Sequence, residues 1–206
     1  MEKDAGCTTA RLYLATAYMQ QYIPGADSRE SQAMADAARE QFDGVLKQEP
    51  DNELALASLA PLCFNRKKFD EATTWYKKLV LLQPDNKEAL FTLGLMVWTR
   101  SYEPIREARQ KLGMKPDDPG PIRDDAARRE LRVNYPPVVE EGLGDLDRAL
   151  AIDGEYDDTM AYLNLLYRAK ADLEDSPQGH WDDIEKADAW VQKAIETRKA
   201  KASRKH

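Results

Sequence analysis

The sequence of 206 residues has little of what most catalytic sites are built from. It holds two cysteines and two histidines. Cys7 and Cys63 have neither metal-site spacing nor a disulfide framework, and neither His180 nor His206 has a nearby Cys or Ser placed as a nucleophile with its base. There is also no glycine-rich phosphate loop. We therefore predict a protein that is not an enzyme and that uses no metal or other cofactor.

Long hydrophobic runs and an excess of positive charge are also missing. No stretch approaches the length needed to span a bilayer, and no signal peptide is recognisable. The formal net charge of −7 would repel nucleic-acid phosphates at long range. We expect a soluble chain without a transmembrane segment that does not bind nucleic acid. Its compartment is left open between cytoplasm and periplasm.

The two cysteines predict no chemistry of their own. Ala5-Gly6-Cys7 resembles the end of a bacterial lipoprotein processing site, but Asp4 stands where that motif needs an apolar residue. No hydrophobic segment precedes it either. We therefore expect the chain to begin inside the turn before its first helix, as a fragment of a longer protein. Cys63 falls at an interior position of the repeat described next, where an inert core thiol is expected.

An internal repeat with a period of 34 residues is the main feature that the sequence does contain. The tripeptide Pro50-Asp51-Asn52 recurs as Pro84-Asp85-Asn86. The helix that follows keeps the register, since Leu59, Ala60 and Cys63 recur as Leu93, Gly94 and Val97, then as Leu163, Asn164 and Tyr167, and are preceded by Leu14, Ala15 and Tyr18. Such a period indicates stacked supersecondary units, so we expect function on a surface and not in a catalytic pocket.

A second helix follows in each unit. Its signature is a small residue, then an apolar or aromatic residue four positions later, then an apolar or small residue three positions beyond. This spacing keeps one stripe on one helix face, and each unit is therefore a helical hairpin. The four sets are Ala38, Phe42 and Val45; Ala72, Tyr76 and Leu79; Gly142, Leu146 and Ala149; and Ala187, Val191 and Ala194.

These residues resemble the tetratricopeptide repeat, whose pattern is W-x2-L-G-x2-Y, then A-x3-F, then Pro. The second unit matches best, with Leu56, Leu59, Ala60, Cys63, Ala72, Tyr76 and Pro84 at those positions. The resemblance implies an all-α solenoid of about four hairpins, with a bacterial origin expected. We predict one domain over 1–206, with units at about 8–52, 53–86, 87–156 and 157–199 and a basic tail at 200–206.

Three insertions individualise this array. The third unit has 36 extra residues, at about 102–137, with predicted helices over Arg106–Leu112 and Ile122–Val133 and a loop between them. Pro136-Pro137 should then start the next helix. We expect this insertion to project as a lid or to fold over the groove. The first and fourth units each have 11 extra residues, which should lengthen their helices by about three turns.

Several acidic and basic clusters can be explained by a structural role alone. Asp27 with Glu30, and Asp182-Asp183, resemble helix caps, and Asp157-Asp158 should open a helix. Asp117-Asp118 lies in a proline-rich loop, where a calcium or magnesium site is the alternative to a simple turn. The basic residues from Lys193 onward are either a site for an acidic partner or membrane surface, or a solvated helix end that complements the helix dipole.

The resemblance also implies a concave groove lined by the first helix of each unit, where peptides commonly bind. Carried over to this chain, the groove is unusually apolar, and its aromatic anchors are Phe91 and Trp98. The clamp that grips acidic chaperone tails is not implied, because its positions hold Leu12, Thr16, Ala57, Glu88 and Thr92. The predicted groove residues are Leu54, Ala57, Phe64, Phe91, Leu95, Trp98, Leu165 and Arg168.

We therefore predict a non-catalytic scaffold or adaptor that binds a protein segment in this groove. The alternative is a structural or assembly module of a larger protein, with the groove filled by its own insertion. A weaker third reading is a small-ligand site under the insertion near Trp98. Homo-oligomers through the terminal repeats are a further option.

Overall fold

The structure is a computed structural model that describes residues 2–115 and 118–204. Over these residues the chain forms α-helices and no strand, so the predicted all-α fold is confirmed. The described helices are α1 Glu2–Gln21, α2 Arg29–Gln48, α3 Glu53–Asn65, α4 Phe69–Leu82, α5 Lys87–Lys111, α6 Asp125–Asn134, α7 Pro136–Ile152, α8 Asp157–Asp172 and α9 Pro177–Ser203. The chain divides into two compact units, Met1–Pro84 and Asp85–His206.

In the first unit, α1 packs on α2 and α3 packs on α4, with α2 against α3. The predicted stripes of α2 and α4 face the interior, because Ala38, Phe42 and Val45 are 0% exposed and Ala72, Tyr76 and Leu79 are buried as well. Burial of these stripes supplies the driving force that isolated helices of this length lack.

The repeated Pro-Asp-Asn tripeptide acts as a helix start. The side-chain oxygen of Asn52 accepts a hydrogen bond from the backbone N–H of Ala55 at 3.0 Å, and Asn86 does the same for Ala89 at 2.9 Å. Each Asn thereby satisfies one of the donors that a helix leaves without an intrahelical partner. The 34-residue period therefore repeats a cap as well as a core stripe.

Two local expectations in the first unit are wrong. α1 begins at Glu2, so Cys7 lies within this helix and not in a preceding turn. α2 is capped by Ser28, whose hydroxyl accepts from the N–H of Ser31 at 3.2 Å, and not by the Asp27–Glu30 pair. Ser28 has the extended backbone that an N-cap needs, which places the start of the helix one residue later.

In the second unit, α5 is longer than predicted. The segment Arg106–Leu112 was expected to be a separate helix, but α5 continues through Pro104 to Lys111. A proline inside a helix costs about 3 kcal/mol. Continuing the helix buries Ile105 in a cluster with Ile122, Ala169 and Leu173, which offsets that cost.

The insertion docks on the second unit mainly through its loop. Ile122, expected to begin a helix, is instead fully buried, and its N–H donates to the carbonyl of Asp172 at 3.0 Å. α6 starts at Asp125 because the side chain of Asp124 caps it, accepting from the N–H of Ala127 at 2.7 Å. α7 starts at Pro136, as predicted.

The end of the second unit is an α8–α9 hairpin. α8 starts at Asp157 as expected, but Asp182-Asp183 is not a cap, since α9 begins at Pro177. Ser176 caps this helix by accepting from the N–H of Gly179 at 3.0 Å. α1, α2 and α9 have 20, 20 and 27 residues against 13 and 14 in α3 and α4. The long arms are therefore present, and α5 is long as well.

Candidate functional site: a cleft in the second unit

The second unit contains a cleft of about 910 Å³ between α5, α8, α9 and the loop of the insertion. Its apolar lining comes from all four elements, which the packing of the insertion brings together. The aromatic and aliphatic lining residues are Trp98, Tyr102, Ile105, Met114, Leu165, Trp181 and Ile184.

One wall of the cleft is aromatic. Trp98, Tyr102 and Arg106 are spaced four residues apart on α5, which places them on one helix face. The rings of Trp98 and Tyr102 lie with their centroids 5.1 Å apart, and Tyr162 of α8 meets Trp98 edge-on at 5.6 Å. Tyr102 is 44% exposed, and Trp181 from α9 is 55% exposed. Large rings thus remain accessible to a ligand.

An ion pair joins the insertion to the side of the cleft. Arg109 Nη1 donates to Asp172 Oδ1 at 2.5 Å, and Arg109 Nη2 donates to the carbonyls of Lys115 and Asp118 at 2.9 and 2.6 Å. Burial raises the pKa of the Asp172 carboxyl, although Arg109 opposes the shift. One planar guanidinium on α5 therefore bonds both to the end of α8 and to two carbonyls of the loop.

Gly120 lets the loop approach this ion pair closely. A Cβ at this position would lie 2.6 Å from Asp172 Oδ1 and 2.7 Å from Cε1 of His180. His180 is 3% exposed, and its Nδ1 lies 2.9 Å from the carbonyl of Ala171. Since a carbonyl only accepts, Nδ1 donates to it. His180 therefore has a structural bond within the α8–α9 hairpin.

Two arginines line the cleft with roughly half of each side chain exposed. Arg106 Nε donates to Glu103 at 3.0 Å, and Arg168 donates to Asn164 at 2.9 Å and to Asp188 at 2.5 Å. The carboxylates of Glu103 and Asp188 are themselves 55% and 63% exposed. Both cations therefore sit in ion pairs that water reaches.

Residues 31–93 match the family model described as "Tetratricopeptide repeat". This part of the chain therefore consists of tetratricopeptide repeats. The presence of these repeats supports a general role of the protein as a protein-interaction scaffold. Among solved structures, a crystal structure of a MamA protein is similar at 17% identity over 97% of this chain and 96% of that one, with a TM-score of 0.40. A second MamA crystal structure has 18% identity over 88% and 99%, with a TM-score of 0.32. No curated protein matches the chain.

Only some of the groove residues predicted from the sequence line the cleft. Trp98, Leu165 and Arg168 line the cleft together. Phe91 lies outside its lining and packs on Tyr156 and Tyr162 at centroid distances of 5.2 and 5.4 Å.

The other predicted residues are not among those that line the cleft. Leu95 is half-buried on α5. In the first unit, Leu54 is 55% exposed, Ala57 is exposed, and Phe64 meets Phe69 edge-on at 5.8 Å.

Sequence reasoning missed several residues that line the cleft. Tyr102 and Arg106 follow Trp98 at helical spacing and were discoverable, had α5 been expected to continue through Pro104. Arg109, His180 and Trp181 gave no signal, because their place depends on how the insertion and α9 pack against α8.

The acidic loop and the thiols add no further site. In the described part of the chain, no three His, Cys, Asp or Glu residues are placed to hold a metal ion. Asp117 lies outside the described residues, and Asp118 accepts from the N–H of Lys115 at 3.0 Å. Cys63 is buried, which raises the pKa of its thiol, while Cys7 is exposed. No helix in the described residues could cross a membrane.

The basic end of α9 contacts the start of α8. Arg198 donates to Asp157 at 2.6 Å and to Asp158 at 2.9 Å, and Lys201 donates to Asp157 at 2.6 Å. Hydrogen bonds from Lys201 and then Arg198 lower the pKa of the Asp157 carboxyl. Arg204 pairs with Glu155 at 2.7 Å. These cations therefore stabilise the hairpin.

Proposed function

We propose that the protein is a non-catalytic scaffold that binds a segment of a partner protein in the cleft of the second unit. The observation that carries this proposal is the coexistence of a cleft of about 910 Å³ with large aromatic rings that stay about half exposed. Accessible aromatic side chains in a concave, partly desolvated surface are where binding energy concentrates in protein interfaces.

Three features of the lining support a protein segment as the ligand. Trp98, Tyr102 and Trp181 offer flat apolar surface for a large side chain. Arg106 and Gln110, one turn apart on α5, offer donors for the carbonyl groups of an extended chain. The volume lies at the upper end of small-molecule pockets, which leaves room for more than one side chain.

The alternative is an assembly module whose groove is filled by its own insertion. At one end of α5, Phe91 is covered by Tyr156 and Tyr162, which lie outside the insertion. The insertion favours the binding role, since residues of its loop line one side of the cleft. We therefore place ligand binding between Trp98 and Trp181 and leave Phe91 to the core.

The test is a selection from a random peptide library displayed on phage, with the full chain as bait. Affinities of the selected peptides are then measured for the Trp181→Ala and Tyr102→Ala variants. Tyr13→Ala is the matched control, because Tyr13 is 75% exposed on α1 and far in sequence from the cleft.

We expect each cleft variant to weaken binding about tenfold or more, with circular dichroism unchanged, and the control to leave binding within about twofold. Bound peptide should also slow hydrogen exchange in residues 98–110 and 180–185. The proposal is refuted when selected peptides bind both cleft variants as tightly as the unmodified chain.

A further inference from the structure

We infer that the segment bound in the cleft carries an acidic residue two positions from its large apolar residue; this rests on the function proposed above. The inference comes from charge. The whole chain has 37 acidic and 30 basic residues, whereas the described lining of the cleft has three arginines against two aspartates and no lysine or glutamate. The lining therefore carries one more basic than acidic side chain, although the chain as a whole is acidic.

The charges deep in the lining are committed to structure. Arg109 and Asp172 pair with each other and are only 12% and 16% exposed. Asp118 accepts from the N–H of Lys115 at 3.0 Å and lies 3.6 Å from Arg123. None of these groups needs a ligand to satisfy it.

The two remaining lining charges can exchange partners. Arg106 and Arg168 are 47% and 46% exposed, and their carboxylate partners Glu103 and Asp188 stay more than half exposed. Exposed ion pairs contribute little because water competes with them. A ligand carboxylate bound against the cleft wall would replace Glu103 or Asp188 in a drier place, where a forked guanidinium–carboxylate contact is stronger.

Apolar and cationic positions alternate along each helix. Arg106 follows Tyr102 by four residues on α5, and Arg168 follows Leu165 by three on α8. One helical turn separates each apolar side chain from its arginine, which is about 5–6 Å. Side chains on the same face of an extended segment are about 6.6 Å apart. A segment with an acid two positions from a large apolar residue matches this spacing.

The experiment measures the selected peptides in three comparisons. Each Asp or Glu of a peptide is changed to its amide, which keeps the shape and removes the charge. Arg106→Gln and Arg168→Gln are made in the full chain. Arg148→Gln is the control, because Arg148 also pairs with an acid three residues away and is 49% exposed, but lies outside the cleft lining.

We expect the amide peptides, and each cleft arginine variant, to weaken binding about five- to tenfold, and the Arg148 variant to change nothing. One arginine variant combined with the amide peptide should cost no more than either change alone, which identifies the contacting pair. The inference fails, while the proposed function survives, when peptides depend on Trp181 but bind equally well with their acids amidated. Peptides that bind both the Trp181→Ala and the Tyr102→Ala variants as tightly as the unmodified chain overturn the proposed function itself.

Discussion

Two glycines of α7 allow the packing of α5 on α7 to be measured by one pair of substitutions. Gly142 is buried against α5, and an added Cβ would lie 2.9 Å from the Cβ of Val97 and 3.1 Å from Cδ1 of Leu166. Gly144 lies on the same helix with nothing within 4 Å of its added Cβ. Gly142→Ala and Gly144→Ala are therefore the same chemical change in a tight and in an open place.

The expected magnitudes follow from two terms. Alanine is favoured over glycine in a helix by about 0.8–1 kcal/mol, and this term is common to both variants. Overpacking costs about 1–3 kcal/mol and applies to Gly142 alone, because the Val97 Cβ is fixed to its backbone and cannot rotate away. Gly144→Ala should therefore raise the free energy of unfolding by up to about 1 kcal/mol. The free energy of unfolding of Gly142→Ala should be about 1–3 kcal/mol lower than that of Gly144→Ala.

Urea unfolding followed by circular dichroism gives both values, provided that the slope with denaturant is unchanged. Hydrogen exchange of amides in α5 and α7 locates the loss. The reasoning is refuted when the two variants differ by less than about 0.5 kcal/mol, because α5 and α7 would then separate without measurable cost.

Three further predictions concern the core, the insertion and pH. Phe91→Ala should lower the free energy of unfolding by about 2–4 kcal/mol because the ring is partly buried, whereas exposed Leu54→Ala should change it by under about 0.5 kcal/mol in the same urea assay. Arg109→Lys should speed exchange about tenfold in residues 112–124 and leave α8 unchanged, since an ammonium lacks the fork that reaches three acceptors. The lowered pKa of Asp157 predicts stability that is present above its unfolded pKa, about 4, and is lost as pH falls through the folded pKa. Asp157→Asn should flatten that part of the curve of unfolding free energy against pH.

Each of these has a contrary outcome. If Phe91→Ala unfolds at the same urea concentration as the unmodified chain, Phe91 is not a core residue and is again a candidate for ligand binding. Unchanged exchange in Arg109→Lys would mean that burial of Ile122, and not the guanidinium, holds the insertion. An identical pH curve for Asp157→Asn would mean that its ion pairs with α9 are screened by water.

Local signals in the sequence predicted the repeat well. The Pro-Asp-Asn tripeptides mark α3 and α5 because Asn52 and Asn86 cap them, and the spacing of four and three residues marks the buried stripes of α2 and α4. Caps and stripes act over a few residues, which is why a single sequence reveals them.

The errors arise where tertiary packing overrides a local rule. Pro104 predicts the end of a helix, but α5 continues past it because the continued helix buries Ile105. Asp182-Asp183 reads as a cap, yet Asp183 is 2% exposed inside α9, where Lys170 and Lys186 neutralise it. Of the cleft, only Trp98, Leu165 and Arg168 were accessible from the repeat pattern.

The insertion explains why most of the cleft lining could not be predicted, although a site under the insertion near Trp98 was one of the expectations. Its walls exist only where the loop meets α8. That contact depends on Gly120 passing close to Asp172, on Ile122 filling the core cluster, and on Arg109 bonding to Asp172 and to two carbonyls of the loop. Each residue is unremarkable in sequence, and none belongs to the repeat. Because the same guanidinium that anchors the loop also lines the cleft, loss of the anchor should open the binding site before it unfolds the helices. In variants of Arg109, ligand affinity and hydrogen exchange of the loop amides should therefore change together. In variants of Trp181, ligand affinity should change while the exchange of the loop does not.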